Sequence, residues 1–493
     1  MKRVGILFSD FGPYHVARIE ALGRSLREVG RELVAFRFTE RSDTYGWDPV
    51  LPQGMETVTL AQCYPAGAAD ALRMAGRFQS ELRARGVSAV FLPTYSPLPN
   101  LLCLLAAKSA GCRTILMTES WLGTERAGAL GRMAKRLLVR MFDSALVGGT
   151  PQRDFVVAYG MPRRKVFLGY DVVDVDFFAA RADEVRTAAK KSLQSSVFSG
   201  QLEQETEGAP TVASDPANLN VGRRGDLSSS VSADSGSALA SAIAALGLPD
   251  RFFLNLGRFV EKKNLSTLVA AYARYVRGTT AAPQTSGLSP QASLPALVLV
   301  GEGPLRGDLE RQARDLGLEV INRTDVGLSA VAAMSPSPIP ARSGDGDIAA
   351  TGAENCNLPT ADSVDQHGTV LFYCFQQSDM TPVFFALCEA FILPSLREEW
   401  GLVVNEAMAC GAPVLVSTNV GAGFDLVEEG VNGFRFEPSD VDGLAGLLRG
   451  FGTDSDLKGQ LGKEGARMIR NWQPDRFGEQ GLSALKAAEG SGA

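Results

Sequence analysis

Nowhere in the 493 residues is there an apolar run long enough to cross a bilayer. The start, "MKRVGILFSDFGPYHV", opens like a leader, but Asp10 interrupts it before signal-peptide length. The expected protein is soluble, or attached to a membrane only at its surface. Histidine is scarce, with two residues, His15 and His367, and the seven cysteines are scattered without a Cys-x-x-Cys pair. A Cys/His metal centre and a disulfide framework are therefore not expected, and reduced thiols in a cytoplasmic protein are. An excess of positive charge is missing too: 49 Lys and Arg face 55 Asp and Glu, a formal net charge of -6. That argues against general nucleic-acid binding. The first strand is followed by "FSDFGPYHVAR", which does not have the Gly-x-Gly-x-x-Gly spacing of a dinucleotide-dependent oxidoreductase.

What is present is ample material for cores, with 45% hydrophobic residues in a chain too long for a single one. Short apolar strands alternate with amphipathic helices in two blocks. The first holds "RVGILFS", "ELVAFRF", "VSAVFLP", "RTILMT" and "SALVGG", and closes with "VFLGYDVVDVDFF". Its first helix carries Ile19, Leu22, Leu26 and Val29 on one face and stops at Gly30. The second block holds "RFFLNLGR", "ALVLVGEGP", "TVLFYCF", "EAFILPS", "APVLVS" and "NGFRFEP". Buried strands alternating with helices predict an α/β protein with parallel sheets covered on both faces. Two blocks predict two doubly wound, Rossmann-like domains with ligand in the cleft between them, at the carboxyl ends of the strands.

The expected boundaries are residues 1–178 for the first domain and 241–469 for the second, with a final helix at about 470–493. Three stretches break the rhythm. Residues 188–240, about 278–295 and 322–367 are rich in small and polar residues without apolar periodicity. They read as disordered insertions, with a folded regulatory insert as the alternative.

The segment "REEWGLVVNEAMACGAPVL" spaces Glu398 and Glu406 seven residues apart. "EAFILP" is a strand, "SLREEWG" a loop at its carboxyl end, and "LVVNEAMAC" a helix stopped by Gly411 with Pro413 beyond. The loop delivers Glu398 to the cleft. The first helical turn, at Gly401 and Leu402, offers free N–H groups to an anion such as a phosphate. Glu406, inside the helix, either accepts hydroxyl hydrogen bonds, as from a ribose, or pairs with a core Arg or Lys. In "NLGRFVEKKNLSTLVAAY", Arg258 and Lys263 flank a loop between strand and helix, where two cations suit a diphosphate or are merely solvated. "VLVGEGPLRGDLE" repeats the strand, glycine turn and helix, a weak signal alone.

The segments "GRFVEKKN", "LVLVGEGPLRGDL" and "LPSLREEWGLVVNEAMACGAPVLVS...EEGVNGF" resemble the donor-binding domain of glycosyltransferase family 4. These are retaining, nucleotide-sugar-dependent enzymes of the GT-B fold. "GPYHVAR", "MTESW", "SALVGGTPQRDFV" and "VFLGYDVVD" are similar to one bacterial branch of it. The resemblance spans the chain except the three insertions. It implies an N-terminal acceptor domain, a C-terminal donor domain and a final helix returning to the first. It implies that Glu398 contacts the donor sugar at the reacting carbon and that Glu406 holds the ribose. Arg258 and Lys263 would bind the diphosphate, the backbone of Trp400, Gly401 and Leu402 the sugar hydroxyls or phosphate, and Gly12 would let its loop approach the diphosphate. The implied partners are a nucleotide-sugar donor and a glycan, lipid-linked or small-molecule acceptor. A sugar-nucleotide hydrolase or epimerase, or an inactive sensor, are the alternatives on this fold.

Many members have a histidine where this chain has Glu119. Glu119 faces the acceptor or the donor sugar, or caps the next helix, and His15 is either acceptor-side or structural. Asp174-Val-Asp176 imitates a metal motif but falls at a domain end. No metal or other cofactor is expected, because the Arg/Lys pair can supply the charge. "RAGALGRMAKRLLVRMF" has an apolar face of Leu130, Met133, Leu137 and Met141 and a stripe of Arg132, Arg136 and Arg140. It either meets anionic lipid or a lipid-phosphate acceptor at the inner membrane face, or lies as a solvated helix over the core.

Overall fold

A computed structural model describes residues 2–40, 50–206, 231–280, 294–323, 368–453 and 455–490. Two seven-stranded sheets organise it. The first contains β1 (Arg3–Phe8), β2 (Glu32–Arg37), β3 (Glu56–Thr59), β4 (Val87–Pro93), β5 (Arg113–Thr118), β6 (Ser144–Val147) and β7 (Val166–Leu168), ordered β3-β2-β1-β4-β5-β6-β7. The second contains β8 (Phe252–Leu256), β9 (Ala296–Val300), β10 (Glu319–Arg323), β11 (Thr369–Tyr373), β12 (Ala390–Leu393), β13 (Val414–Ser417) and β14 (Gly433–Phe436), ordered β10-β11-β9-β8-β12-β13-β14. All pairings are parallel. The central strands are buried on both faces, as their unbroken apolar runs require.

Two strands escape the sequence reading, β3 and β10. Both are sheet edges, and β3 buries only Val58, so neither carries an apolar run to announce it.

The sheets are wound outward in two directions from an internal pair. In the first sheet the reversal falls between β1 and β4, and in the second between β8 and β12. Loops leaving the carboxyl ends of such a pair diverge, and the crevice between them is where ligands bind in open α/β sheets. The loops after β8 and β12 are those that carry Lys263 and Glu398.

The first core ends at Val172 and the second begins at Val173, Val175 and Phe178. The chain thus crosses between cores earlier than residue 178, within "VVDVDFF", where the buried Val172, Val173 and Val175 alternate with the exposed Asp174 and Asp176 as the helix Val175–Thr206 begins. The expected unstructured stretch 188–240 needs correction at both ends. Helical backbone continues to Thr206 and resumes at Val231–Leu246, where Leu239, Ala242 and Leu246 are buried at helical spacing. Residues 207–230 lie outside the described residues, as do most of 278–295 and all but Asn322 and Arg323 of 322–367.

The helix Pro474–Glu489 lies against the helix Pro13–Glu28. Phe477, Ala484, Leu485 and Ala488 join Ile19, Leu22 and Leu26 in the core of the first domain. A side chain at Gly478 would stand 2.7 Å from the Ala21 carbonyl oxygen, so glycine sets the close approach. Ser144 Oγ donates to the Ala484 carbonyl at 2.7 Å, and Arg31 grips Glu489 with two 2.8 Å bonds. Phe477→Ala is expected to destabilise the first domain by about 3–5 kcal/mol, the usual cost of emptying an aromatic site in a core. Urea denaturation followed by tryptophan fluorescence will measure it.

Candidate active site

The loop between β8 and the helix Leu265–Thr280 makes a short 3-10 turn at Glu261–Lys263. Asn264 ends it at φ 56, and its amide donates to the Pro394 and Pro438 carbonyls at 3.0 and 2.7 Å. The β8 loop is thereby fastened to the β12 loop. Gly301 and Gly303 explain the glycine turn after β9. A Cβ there would lie 2.0 Å from the Gly257 oxygen and 2.4 Å from the Phe259 oxygen. The two glycines let the β8 and β9 loops pack together.

This framework brings Lys263 Nζ to 2.5 Å from Glu398 Oε2. Ser395 Oγ donates to the same oxygen at 3.1 Å. Lys262 Nζ stands 3.7 Å from Glu398 Oε1 and 3.4 Å from Glu399 Oε2. Burial alone would raise the Glu398 carboxyl, but the two ammonium groups and these hydrogen bonds hold it below its ordinary value. The residues read from sequence as binding opposite parts of a donor, Lys263 the diphosphate and Glu398 the sugar, are therefore each other's partners here. Lys262 was not singled out in the sequence. Arg258 is exposed and makes no side-chain hydrogen bond or ion pair among the described residues.

Gly401, at φ 99, begins the helix Leu402–Ala409. Trp400 is fully buried, its ring 5.1 Å from Trp472. Its Nε1 donates to Asn405 Oδ1 at 2.9 Å, and its carbonyl accepts from the Ala422 N–H at 3.0 Å.

Glu406 is 3% exposed. No Arg or Lys lies within ion-pair distance of it among the described residues. Its partner comes from the other domain, where Tyr14 Oη donates to Glu406 Oε1 at 2.7 Å. Burial raises Glu406 to about 7, partly offset by the tyrosine bond. The alternative of a core Arg or Lys partner is thus set aside.

Tyr14 belongs to the motif "GPYHVAR", which opens the helix after β1. Gly12 precedes it at φ -87, an ordinary conformation, and its N–H donates to His15 Nδ1 at 3.2 Å. That amide is engaged by His15, and the Gly12 backbone is one that any residue can adopt. His15 stacks on Phe8 at 4.5 Å. Enclosure in the cleft and the Arg18 charge keep it neutral, down at about 3. Deeper, Arg18 Nη2 donates to Asp171 Oδ1 at 3.3 Å, and its guanidinium lies 4.4 Å above the Tyr170 ring. Burial raises the Glu119 carboxyl, the Arg18 charge opposes that, and the charges of Glu399 and Glu398 add to it.

The domains meet around this cluster. Trp121 Nε1 donates to the Glu398 carbonyl at 3.0 Å, Gln152 Nε2 to that of Glu399 at 2.6 Å, and Asn405 Nδ2 to that of Asp171 at 3.2 Å. Thr150 bonds Asp425 through both N–H and hydroxyl. Tyr14, Arg18, Trp121, Gln152 and Asp171 were missed individually, although each lies in one of the four N-terminal motifs. Asp174 Oδ1 accepts from the Phe177 N–H at 2.9 Å, so the Asp-x-Asp imitation caps a helix.

The helix Ala129–Val139 lies away from the cleft contacts. Three of its four stripe residues face outward, Leu130 at 79%, Met133 at 60% and Leu137 at 63% exposed, while Met141 packs partly buried against the core and Val139 is buried. At Leu130, Met133 and Leu137 the helix therefore does not cover the core with its apolar side. The amphipathic period was legible, but the direction of the stripe was not.

Residues 360–468 match the family described as Glycosyl transferases group 1. Sucrose synthase 5 of Arabidopsis thaliana is 36% identical over 84 residues, 16% of this chain and 10% of that protein. D-inositol 3-phosphate glycosyltransferase of Streptomyces avermitilis is 36% identical over 83 residues, 17% of this chain and 18% of that protein. The chain thus matches between 10% and 18% of the length of these two relatives. Among solved structures, HepE from Anabaena in complex with UDP-glucose has a TM-score of 0.59 at 14% identity, covering 99% of this chain and 100% of that one. Sucrose-phosphate synthase from Thermosynechococcus elongatus has a TM-score of 0.59 at 16% identity, covering 100% of both chains. The fold is GT-B: two Rossmann-like domains facing across a cleft.

The Glu406 environment has a measurable consequence. An acid whose pKa is higher folded than unfolded takes up protons on folding. Its contribution is fully present below the unfolded value of about 4.5 and is lost as pH rises through about 7. Glu406→Gln, which keeps the acceptor for Tyr14 without the charge, should match wild type in acid and exceed it above neutrality by on the order of 2 kcal/mol. Urea titrations across that range will read the difference.

Proposed function

We propose that this chain, whose residues 360–468 carry a group 1 glycosyl transferase segment on a GT-B fold, is a retaining glycosyltransferase. It moves a sugar from a nucleoside-diphosphate donor to a hydroxyl of a glycan, lipid-linked or small-molecule acceptor. The observation that carries the reading is Glu406, a buried helical carboxylate without a cationic partner among the described residues, accepting a hydroxyl hydrogen bond across the cleft. A ribose hydroxyl offers the same bond, and the Tyr14 hydroxyl stands in for it. One helical turn before Glu406, the first amides at Gly401 and Leu402 face the donor's polar groups. Lys263 and Arg258 take the diphosphate, with Lys262 beside them, and supply positive charge as it leaves. The reading therefore assigns no metal. Glu398 releases Lys263 to the phosphates and turns to the sugar, where its charge favours a developing positive centre.

Donor binding and transfer separate in the variants. Arg258→Ala and Lys263→Ala should each weaken UDP or GDP by about 10- to 100-fold while leaving the bare nucleoside nearly unaffected, since each removes a charge-assisted bond. Glu406→Gln should weaken nucleoside and diphosphate alike. Glu398→Gln should spare both and lower turnover. Calorimetry with UDP, GDP, uridine and guanosine, with product analysis on the matching sugar nucleotides, decides. Free sugar or an isomerised donor as the sole product would favour a hydrolase or epimerase, and binding without any turnover a sensor.

The same reading places the protein at the cytoplasmic face of the inner membrane. Among the described residues no helix is long and apolar enough to cross a bilayer. The exposed Leu130, Met133 and Leu137, flanked by exposed Arg132, Arg136 and Arg140 on a protein of net charge -6, suit an anionic lipid surface. The triple variant Leu130→Gln, Met133→Gln, Leu137→Gln should lose sedimentation with phosphatidylglycerol vesicles and keep its melting temperature. Equal sedimentation of variant and wild type would remove this contact.

A further inference from the structure

Three successive carbonyls of the loop after β12 are each held by a donor, and two of those donors come from the first domain. Trp121 Nε1 donates to the Glu398 carbonyl at 3.0 Å, and Gln152 Nε2 to the Glu399 carbonyl at 2.6 Å. The Trp400 carbonyl accepts from the Ala422 N–H at 3.0 Å. Within its own domain the loop is laced to the segment after β13. The Glu398 N–H donates to the Asn419 carbonyl at 3.0 Å, and the Gly421 N–H to the Glu398 carbonyl at 3.2 Å. A Cβ at Gly421 would collide with the Glu399 carbonyl oxygen and crowd the Gln152 amide, so glycine permits the close approach of all three segments.

Both first-domain donors are themselves fixed. Gln152 is fully buried, and its Oε1 accepts from the Gly149 N–H at 3.0 Å, which leaves Nε2 for Glu399. Trp121 is 8% exposed, with its ring 5.4 Å from that of Phe424. Its loop is pinned a few residues on by Glu125, which accepts from the Ala127 N–H at 2.7 Å, from Lys135 Nζ at 2.8 and 2.9 Å and from the Tyr159 hydroxyl at 2.8 Å. Burial requires each of these donors to find an acceptor. It does not require the acceptors to be neighbouring carbonyls of the one loop that carries Glu398.

We propose that Trp121 and Gln152 are positioning residues for sugar transfer: from the first domain they set the backbone of residues 398–400, and through it the place of the Glu398 carboxylate. The role in transfer rests on the transferase reading; the clamp on the loop does not. Holding two successive carbonyls fixes the peptide planes on the carboxyl side of Glu398, and with them the direction of its side chain. Nucleotide contacts at Lys263, Arg258 and Glu406 pass through neither side chain. The second domain alone can therefore hold a nucleotide, but Glu398 is presented in one geometry only with the first domain against it, which couples the chemistry to the meeting of the domains.

Two variants of the full chain remove different bonds. Trp121→Phe keeps a ring beside Phe424 and loses the N–H, while Gln152→Met keeps the length and loses the amide. Hydrogen–deuterium exchange reads the clamp: each variant should speed exchange by about 10-fold in peptides covering residues 396–402 and 419–424, and leave the helix Leu265–Thr280 at the wild-type rate. Unchanged exchange in those peptides, or faster exchange throughout the second domain, would overturn the clamp. Turnover reads the positioning. With saturating UDP-glucose, UDP-galactose or GDP-mannose and methyl glycosides of glucose, galactose and mannose as acceptors, kcat should fall by about 10- to 100-fold while the affinities for UDP and GDP stay within about twofold. A wild-type kcat, or a loss of nucleotide affinity equal to the loss of kcat, would overturn the positioning role. If wild type turned over none of these donors, the transferase reading and the positioning role would fail together, and the exchange result would still decide the clamp.

Discussion

The site depends on one topological constraint. Parallel strands must be joined by crossovers of one hand, so a sheet that grows outward in both directions from an internal pair sends the two loops of that pair apart. In the second sheet that pair is β8 and β12. Its two loops carry Lys263 and Glu398, and the helix after β12 carries Glu406. In the first sheet the corresponding crevice opens beside β1, whose loop leads to Tyr14, His15 and Arg18. The two crevices face each other, and the charges in the cleft follow from that arrangement. The cations of one loop lie against the acids of the next, and a tyrosine from one domain reaches the carboxylate of the other.

This arrangement also accounts for carboxylates that would be costly elsewhere. Glu398 is kept ionised by two lysines, Glu406 is answered by a hydroxyl, and the Asp171 carboxyl is adjoined by Glu119 and Arg18. Each acid therefore has a different degree of ionisation set by its own neighbours, within one continuous cleft.

Much of this was legible in the sequence. The interior strands announced themselves because a strand buried on both faces must be apolar throughout. Glu398, Glu406 and Lys263 stood out because acids and cations at strand ends need a reason. Edge strands β3 and β10 were silent because half-exposed strands need no apolar run. The pairing of Tyr14 with Glu406 joins residues 392 positions apart and was not legible. Four N-terminal motifs were visible as motifs, yet the roles of Arg18, Trp121, Gln152 and Asp171 depend on which neighbours the fold supplies. Likewise the 3.6-residue period of the helix Ala129–Val139 showed an apolar stripe but not which way it turned.

The return of the helix Pro474–Glu489 to the first domain bears on how the protein is made. Phe477 and Leu485 complete a core whose other members, Val4, Ile19 and Phe91, leave the ribosome hundreds of residues earlier. Domains ordinarily fold in the order of their synthesis. Here the second domain has all its strands before the first has its last helix, so the half that is translated first is the half that is finished last. During that interval the apolar face of the helix Pro13–Glu28 stays uncovered, and the nascent chain offers chaperones a binding surface that the mature protein does not have.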